Sequence, residues 1–288
     1  MIQVLSGQLL VGLINGSFYA LLSLGLAIIF GLLNVVNFAH GAQYMLGAFV
    51  AWMGLHYLGV GYWWALILTP LVVGLLGVVF ERLCLRRLHG LDPLYGLLLT
   101  FGLALVLEGL FQNAFGISGN SYPVPEALQG GTNLGFMYLP RYRAWVVLVS
   151  MTVCFTSWFV IEKTRLGAYL RAGTENSALL QAFGVNVPLM FSITYGFGAA
   201  LAAFAGVMAA PIYQVTPLMG SSVIMVVFAV VVIGGMGSIV GSIVTGLGLG
   251  LVEGLTKFLY PPASDVVVFV VMAIVLLLRP AGLFGRPR

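Results

Sequence analysis

The chain has 288 residues, of which 61% are hydrophobic and 7% charged, and its net charge is +4. A soluble domain carries about 25% charged residues, so this composition excludes one and defines a polytopic membrane protein. The basic residues are scattered at the ends of apolar runs, which argues against a nucleic-acid surface.

A membrane-spanning helix needs roughly 20 apolar residues. The first run, Leu9 to Phe30, is too long for the core of a cleaved signal and lacks a basic lead-in, so it reads as a retained span. The second, at 36–58, follows an unusually polar entry, "NVVNFAHGAQY". On a helix Asn34, Asn37, His40 and Tyr44 share one face, and Gly41 beside them admits a close neighbour. Polar side chains in hydrocarbon face a neighbouring helix or a water-filled path. The stretch is therefore either a joint between helices or a substrate path. Its place at the inner end of the span favours the joint.

Further runs fall at 62–81, 94–113, 144–161, 189–211, 222–234, 237–258 and 263–279. The seventh run of the whole series is short, and "VVIGGMGSIVG" joins it to the eighth, as in a pair of half-helices or a re-entrant pair. Gly234, Gly235 and Gly237 join the polar entry as candidate gate or path residues. The expected fold is an all-α helical bundle of eight or nine transmembrane helices with one cytoplasmic coupling helix. It forms a single transmembrane domain over 1–288.

Nine crossings place Arg82, Arg86, Arg87, Lys163, Arg165, Arg171, Arg279, Arg286 and Arg288 on one side, and Arg141, Arg143 and Lys257 on the other. The excess marks the cytoplasm, so the C-terminus is expected inside and the N-terminus outside. Two connections are long: 114–142, outside, and 162–188, inside. Small residues recur every four positions at Gly198, Ala202, Gly206 and at Gly246, Gly250, Gly254, a spacing that lets membrane helices approach closely. Packing within the chain is the first reading there, and an interface with a second subunit is the other.

The inner loop reads "EKTRLGAYLRAGTENSALLQAFGVNVP", Glu162 to Pro188. Thr174 is placed to cap a helix and Glu175 to favour its positive end. Ala178, Leu179, Ala182 and Phe183 follow as an apolar stripe, Gly184 as a stop, and Pro188 in the first turn of the next span. A short helix of this kind suits a protein groove better than a membrane surface.

The segment "TRLGAYLRAGTENSALLQAFGVNV" resembles the cytoplasmic coupling segment of permease subunits in ABC importers of the branched-chain amino acid type. "GLINGSFYALLSLGLAIIFGLLNVVNFAHGAQYMLGAFVAW" resembles that family's N-terminal signature, and "VVIGGMGSIVGSIVTGLGLGLVE" its late glycine-rich motif. The resemblance implies a permease that pairs with a second permease, commonly as a heterodimer. It also implies two cytoplasmic ATPases, which bind ATP and Mg, and a periplasmic substrate-binding protein. Arg165, Gly167, Arg171, Ala172, Glu175, Ala178 and Gly184 would then form the ATPase contact. No GxxxxGK[ST] motif occurs, so the chain has no P-loop of its own and no cofactor is expected in it.

Glu108, Glu253 and Asp265 are the carboxylates within or beside spans, and such groups serve ion coupling in secondary transporters. That keeps a transporter or channel acting alone as the second functional reading. All three lie toward one interface, and Lys257 follows Glu253 by four residues, which favours a structural ion pair. His40, His56 and His89 lack metal-ligand spacing, Cys84 and Cys154 stand alone, and no nucleophile and base pair up, so no enzyme is expected. Urea or short-chain amide importers with similar permeases are a further substrate reading.

Overall fold

A computed structural model describes residues 2–33, 36–88, 91–133, 135 and 137–285. The expectations attached to Asn34, His89, Arg286 and Arg288 therefore lie outside the described residues. Among those residues six helices are long and apolar enough to cross a membrane, and two apolar helices are shorter. The fold is all-α. The chain divides into two compact units, Met1–Ala27 with Val124–Phe155 and Met225–Arg288, and Ile28–Pro123 with Thr156–Ile224.

The elements of the first unit begin with α1 (Ile2–Leu33), whose C-terminal end passes into the second unit. After it come the strands β1 (Gly131–Asn133) and β2 (Tyr138–Pro140), paired antiparallel with Gly131 opposite Pro140. Asn133 Oδ1 accepts from the Gly135 N–H at 2.9 Å and holds the hairpin turn. Most of α9 (Met219–Gly234), all of α10 (Ile239–Leu259) and α11 (Val267–Leu278) complete the unit. Ala229, Val230, Ile233, Leu249 and Val268 form its apolar core. Glycines then bring α1 and α10 together. Gly250 lies against Gly12 and Gly16, Gly246 lies against Ala20, and Gly254 lies against Gln8 and Gly12. The second glycine repeat is thus used within the chain, as the first reading expected.

The second unit is built on α2 (Ala39–Leu58), α3 (Tyr62–Leu83), α4 (Pro93–Phe115) and α8 (Val187–Ala209), and the end of α5 (Arg141–Lys163) enters it. Short side chains again set the spacing. Gly47 meets the Ala203 backbone, Gly206 meets the Tyr44 carbonyl, and Gly74 meets the Gly196 carbonyl. On α4, Phe111 and Phe115 stack around Phe49 of α2, with centroids 4.7 and 5.3 Å away. Local chemistry sets the helix ends. Asp92 Oδ1 accepts from the Leu94 N–H at 2.9 Å, and Asn186 Oδ1 from the Leu189 N–H at 3.1 Å. Pro93 and Pro188 occupy the first turns beside those caps, where their missing N–H costs nothing.

Candidate functional site

The loop at 162–188 folds into two short helices, α6 (Arg165–Glu175) and α7 (Ser177–Ala182). This corrects the expected start at Thr174. Helix α6 runs through Thr174 and Glu175, and the Thr174 hydroxyl donates back to the Arg171 carbonyl at 2.7 Å. Asn176 caps α7 instead, its Oδ1 accepting from the Leu179 N–H at 2.9 Å. In "TENS" several cap formers stand side by side, and asparagine ranks with the best of them. Gly184 does stop the helix: its φ is +83°, and its N–H donates to the Gln181 carbonyl at 2.9 Å.

Helix α6 is braced against the end of α5. A side chain at Gly167 would run into the Ile161 carbonyl, so only glycine lets the backbone turn that closely. Arg171 donates from Nη1 to that same carbonyl at 3.1 Å and sits 3.5 Å from Glu162 Oε2. On its other side, α6 touches the first turns of α8 through Gly173, with Met190 and Val187 close by. Arg165, Ala172, Glu175 and Ala178 are exposed. So are the apolar Leu179, at 56%, and Phe183, at 77%, on and just after α7. The pair of helices therefore stands on a fixed base and turns an apolar face outward.

The polar entry of the second span is arranged differently from a single helical face. Helix α2 begins only at Ala39, so Asn37 precedes it, while His40 and Tyr44 lie one above the other on it. Thr100 of α4 explains the late start. The Phe38 N–H donates to Thr100 Oγ1 at 3.2 Å, and that hydroxyl reaches the Val36 carbonyl at 3.3 Å, which holds the chain out of helix. Gly41 makes the expected close approach, its backbone against that of Gly220.

Asn37, His40 and Tyr44 are buried, His40 completely. Gln43 belongs with them, donating from Nε2 to the Tyr195 hydroxyl of α8 at 3.1 Å. A turn away on α8, the Ser192 hydroxyl donates to Glu81 Oε2 of α3, and both residues are fully buried. Glu81, Ser192 and Tyr195 were not singled out from the sequence. Glu81 opens the basic "ERLCLRR" and reads there as a span-end charge; nothing local marks its burial.

Gly234 ends α9, with its backbone against Gly241 of α10. Gly235 and Gly237 form the turn between the two helices with φ of +99° and +85°, values that favour glycine. Ser238 caps α10 by accepting from the Gly241 N–H at 3.1 Å. The Leu283 and Phe284 N–H groups donate to the Ile233 and Gly234 carbonyls at 2.8 and 3.1 Å. The sequence motif is thus a helix-to-helix turn clasped by a later segment.

Glu253 is mostly buried and receives three donors. Lys257 Nζ lies 2.5 Å from its Oε1, Asn15 Nδ2 donates to the same oxygen at 3.2 Å, and the Tyr19 hydroxyl donates to Oε2 at 2.8 Å. A carboxylate held in this way is matched in charge and fixed in place. Glu108 has the Gln112 amide at 3.4 Å, and Asp265 has the Ser264 hydroxyl at 3.4 Å.

Many apolar spans, close glycine-mediated packing and a braced helix pair define a multi-pass helical membrane protein. The chain belongs to the family described as branched-chain amino acid transport system / permease component, whose model matches residues 8–276. It is 30% identical to the high-affinity branched-chain amino acid transport system permease protein LivH of Escherichia coli strain K12, over 97% of this chain and 95% of that protein. Its identity to BraD of Pseudomonas aeruginosa, named for the same kind of system, is 32% at the same coverage. LivM of Escherichia coli strain K12, named as another permease protein of such a system, is 27% identical over 94% of this chain and 68% of its own length. No solved structure matches.

Proposed function

We propose that the chain is one transmembrane permease domain, residues 1–288, of an ABC importer for branched-chain or related small amino acids. ATP hydrolysis on partner subunits drives it. The observation that carries this reading is the α6–α7 pair. Its base is tied to Ile161 through Gly167 and Arg171, and its apolar face is exposed at Leu179 and Phe183. A rigid helix pair with an apolar face suits a groove on a partner protein. Family membership supports the choice of partner, a cytoplasmic ATPase.

In this assembly Arg165, Gly167, Arg171, Ala172, Glu175, Ala178 and Gly184 form or shape the ATPase contact. Two ATPases bind ATP and Mg, and this chain contributes no cofactor site. Similarity to both the LivH and the LivM type supports pairing with a second, related permease as a heterodimer. A periplasmic binding protein delivers substrate and sets its identity, and lipid surrounds the spans. The bias of basic residues supports a cytoplasmic C-terminus and an external N-terminus. The set Asn34, Asn37, His40, Gly41, Tyr44, Gly234, Gly235 and Gly237 serves as joint and gate. The complete burial of His40 favours the joint over direct substrate contact.

Reconstitution in liposomes tests the reading. The chain alone should take up no leucine down a gradient. With its companion permease, ATPases and loaded binding protein, uptake should require ATP. Gradient-driven uptake by the chain alone would overturn the assignment.

A further inference from the structure

Where α1 and α5 begin, the first unit holds a cleft of about 650 Å3. It is lined by the first turns of α1, the β1–β2 hairpin and the first turn of α5. Two kinds of side chain line it. Gln3, Gln8, Tyr138 and Arg143 are polar, and Val4 and Val11 of α1 are apolar. No carboxylate is among the lining residues.

Arg143 is half-buried, and among the described residues no acceptor pairs with it. Three cations elsewhere are already matched. Lys257 is paired with Glu253, Arg171 with Glu162, and Arg279 with the Leu283 carbonyl. The carboxylate that α1 meets further along, Glu253, is therefore already matched and offers Arg143 nothing. A guanidinium carries five donors in a fork that fits carboxylate or phosphate oxygens. The start of α5 adds to the positive potential, because a first helical turn favours anions; Arg141, two residues before Arg143, is exposed and lies outside the lining.

Depth selects among anions. Helices α1 and α5 are both long and apolar enough to span a membrane, so their first turns lie at the polar boundary of the bilayer. Tyr138, which lines the cleft and is largely exposed, is of the kind that collects there. A ligand at that level that is anionic at one end and apolar at the other matches both kinds of lining. We propose that this cleft binds the anionic head group of a membrane phospholipid, with Arg143 taking the phosphate and Gln3, Gln8 and Tyr138 hydrogen-bonding around it. Its glycerol and upper chains lie along Val4 and Val11.

Native mass spectrometry of the purified full-length chain in mild detergent tests this. The added lipids are phosphatidylglycerol or phosphatidylcholine with the same acyl chains. One phosphatidylglycerol should be retained in preference to phosphatidylcholine. Arg143→Ala should weaken that retention about tenfold, the loss expected for one charge-assisted contact. Arg143→Lys should restore much of it, and Arg141→Ala should change it little. Equal retention of the two lipids, undiminished binding by Arg143→Ala, or an equal loss in Arg141→Ala would each overturn the proposal. Glycerol phosphate at the same concentration should fail to displace the lipid; displacement would reassign the cleft to a soluble anion. Elution of Arg143→Ala like the parent chain on gel filtration separates loss of the contact from loss of the fold.

Discussion

The Tyr19 hydroxyl donates to Glu253 Oε2 at 2.8 Å and so joins α1 to α10 across 234 positions of sequence. Asn15, one turn earlier on α1, reaches the other oxygen of the same carboxylate. Interhelical hydrogen bonds in membranes contribute about 0.6 kcal/mol on average and reach about 1.7. Tyr19→Phe should cost an amount in that range. Glu253→Leu should cost more, because it also leaves Lys257 without its anion. Unfolding of the purified chain in mixed micelles measures both, and equal losses would contradict the clamp.

The glycines of α10 divide into two sets. Gly250 lies against the backbones of Gly12 and Gly16, whereas Gly248 has nothing within 4 Å of where a Cβ would stand. Gly250→Ala should therefore destabilise by about 1–3 kcal/mol, as forced overpacking does. Gly248→Ala should be neutral or slightly stabilising, since alanine is the better helix former. The pair forms its own control: same helix, same substitution, opposite outcomes in the unfolding assay.

At the α6–α7 pair, Gly167→Ala should already disturb the turn onto α6, because the added carbon meets the Ile161 carbonyl. Gly167→Pro should do so more strongly. Arg171→Glu should set a second acid beside Glu162 and remove the donor to Ile161. All three should insert into the membrane normally. In the reconstituted transporter they should hydrolyse ATP with little uptake, measured as the ratio of leucine imported to ATP consumed. A ratio equal to that of the unaltered chain would remove Gly167 and Arg171 from the coupling site.

In the long loop after α4, burial pushes the Tyr122 phenol up to about 12, and nearby Tyr62 adds to the shift. The ordinary value is 10.0. The unfolded chain therefore releases this proton first, and the contribution is intact below pH 10 and lost as pH climbs toward 12. Tyr122→Phe should flatten that part of the stability-against-pH curve. The phenolate absorbance missing from the variant should appear near pH 12 in the parent.

Features governed by near neighbours in sequence were legible there. Pro188 and Gly184 were assigned to a helix start and a helix stop, and both hold those places, because caps depend on the adjacent few residues. The glycine repeats were legible too, since a four-residue period marks a helix face whatever lies across from it. The partner of each face was not. Nothing local pairs Gly250 with Gly12, or Gln43 with Tyr195, which is 152 positions away. Asn37 failed for the opposite reason. A helical period was extended back through it, but Thr100 holds that stretch out of helix from a different span. Glu253 shows both cases at once: Lys257, four residues on, could be foreseen, while Asn15 and Tyr19 could not.

That long-range clamp also bears on how the protein is made. Asn15 and Tyr19 enter the bilayer with α1, but their carboxylate is 238 and 234 residues further along the chain. At about 5–20 residues per second, the ribosome takes roughly 10–50 s to reach it. Throughout that interval the Gly12–Gly16 surface of α1 has yet to meet α10. Helix α1 is thus inserted long before it is locked, and the insertion machinery has an apolar helix with an unmet face of polar and small residues in its care until α10 arrives.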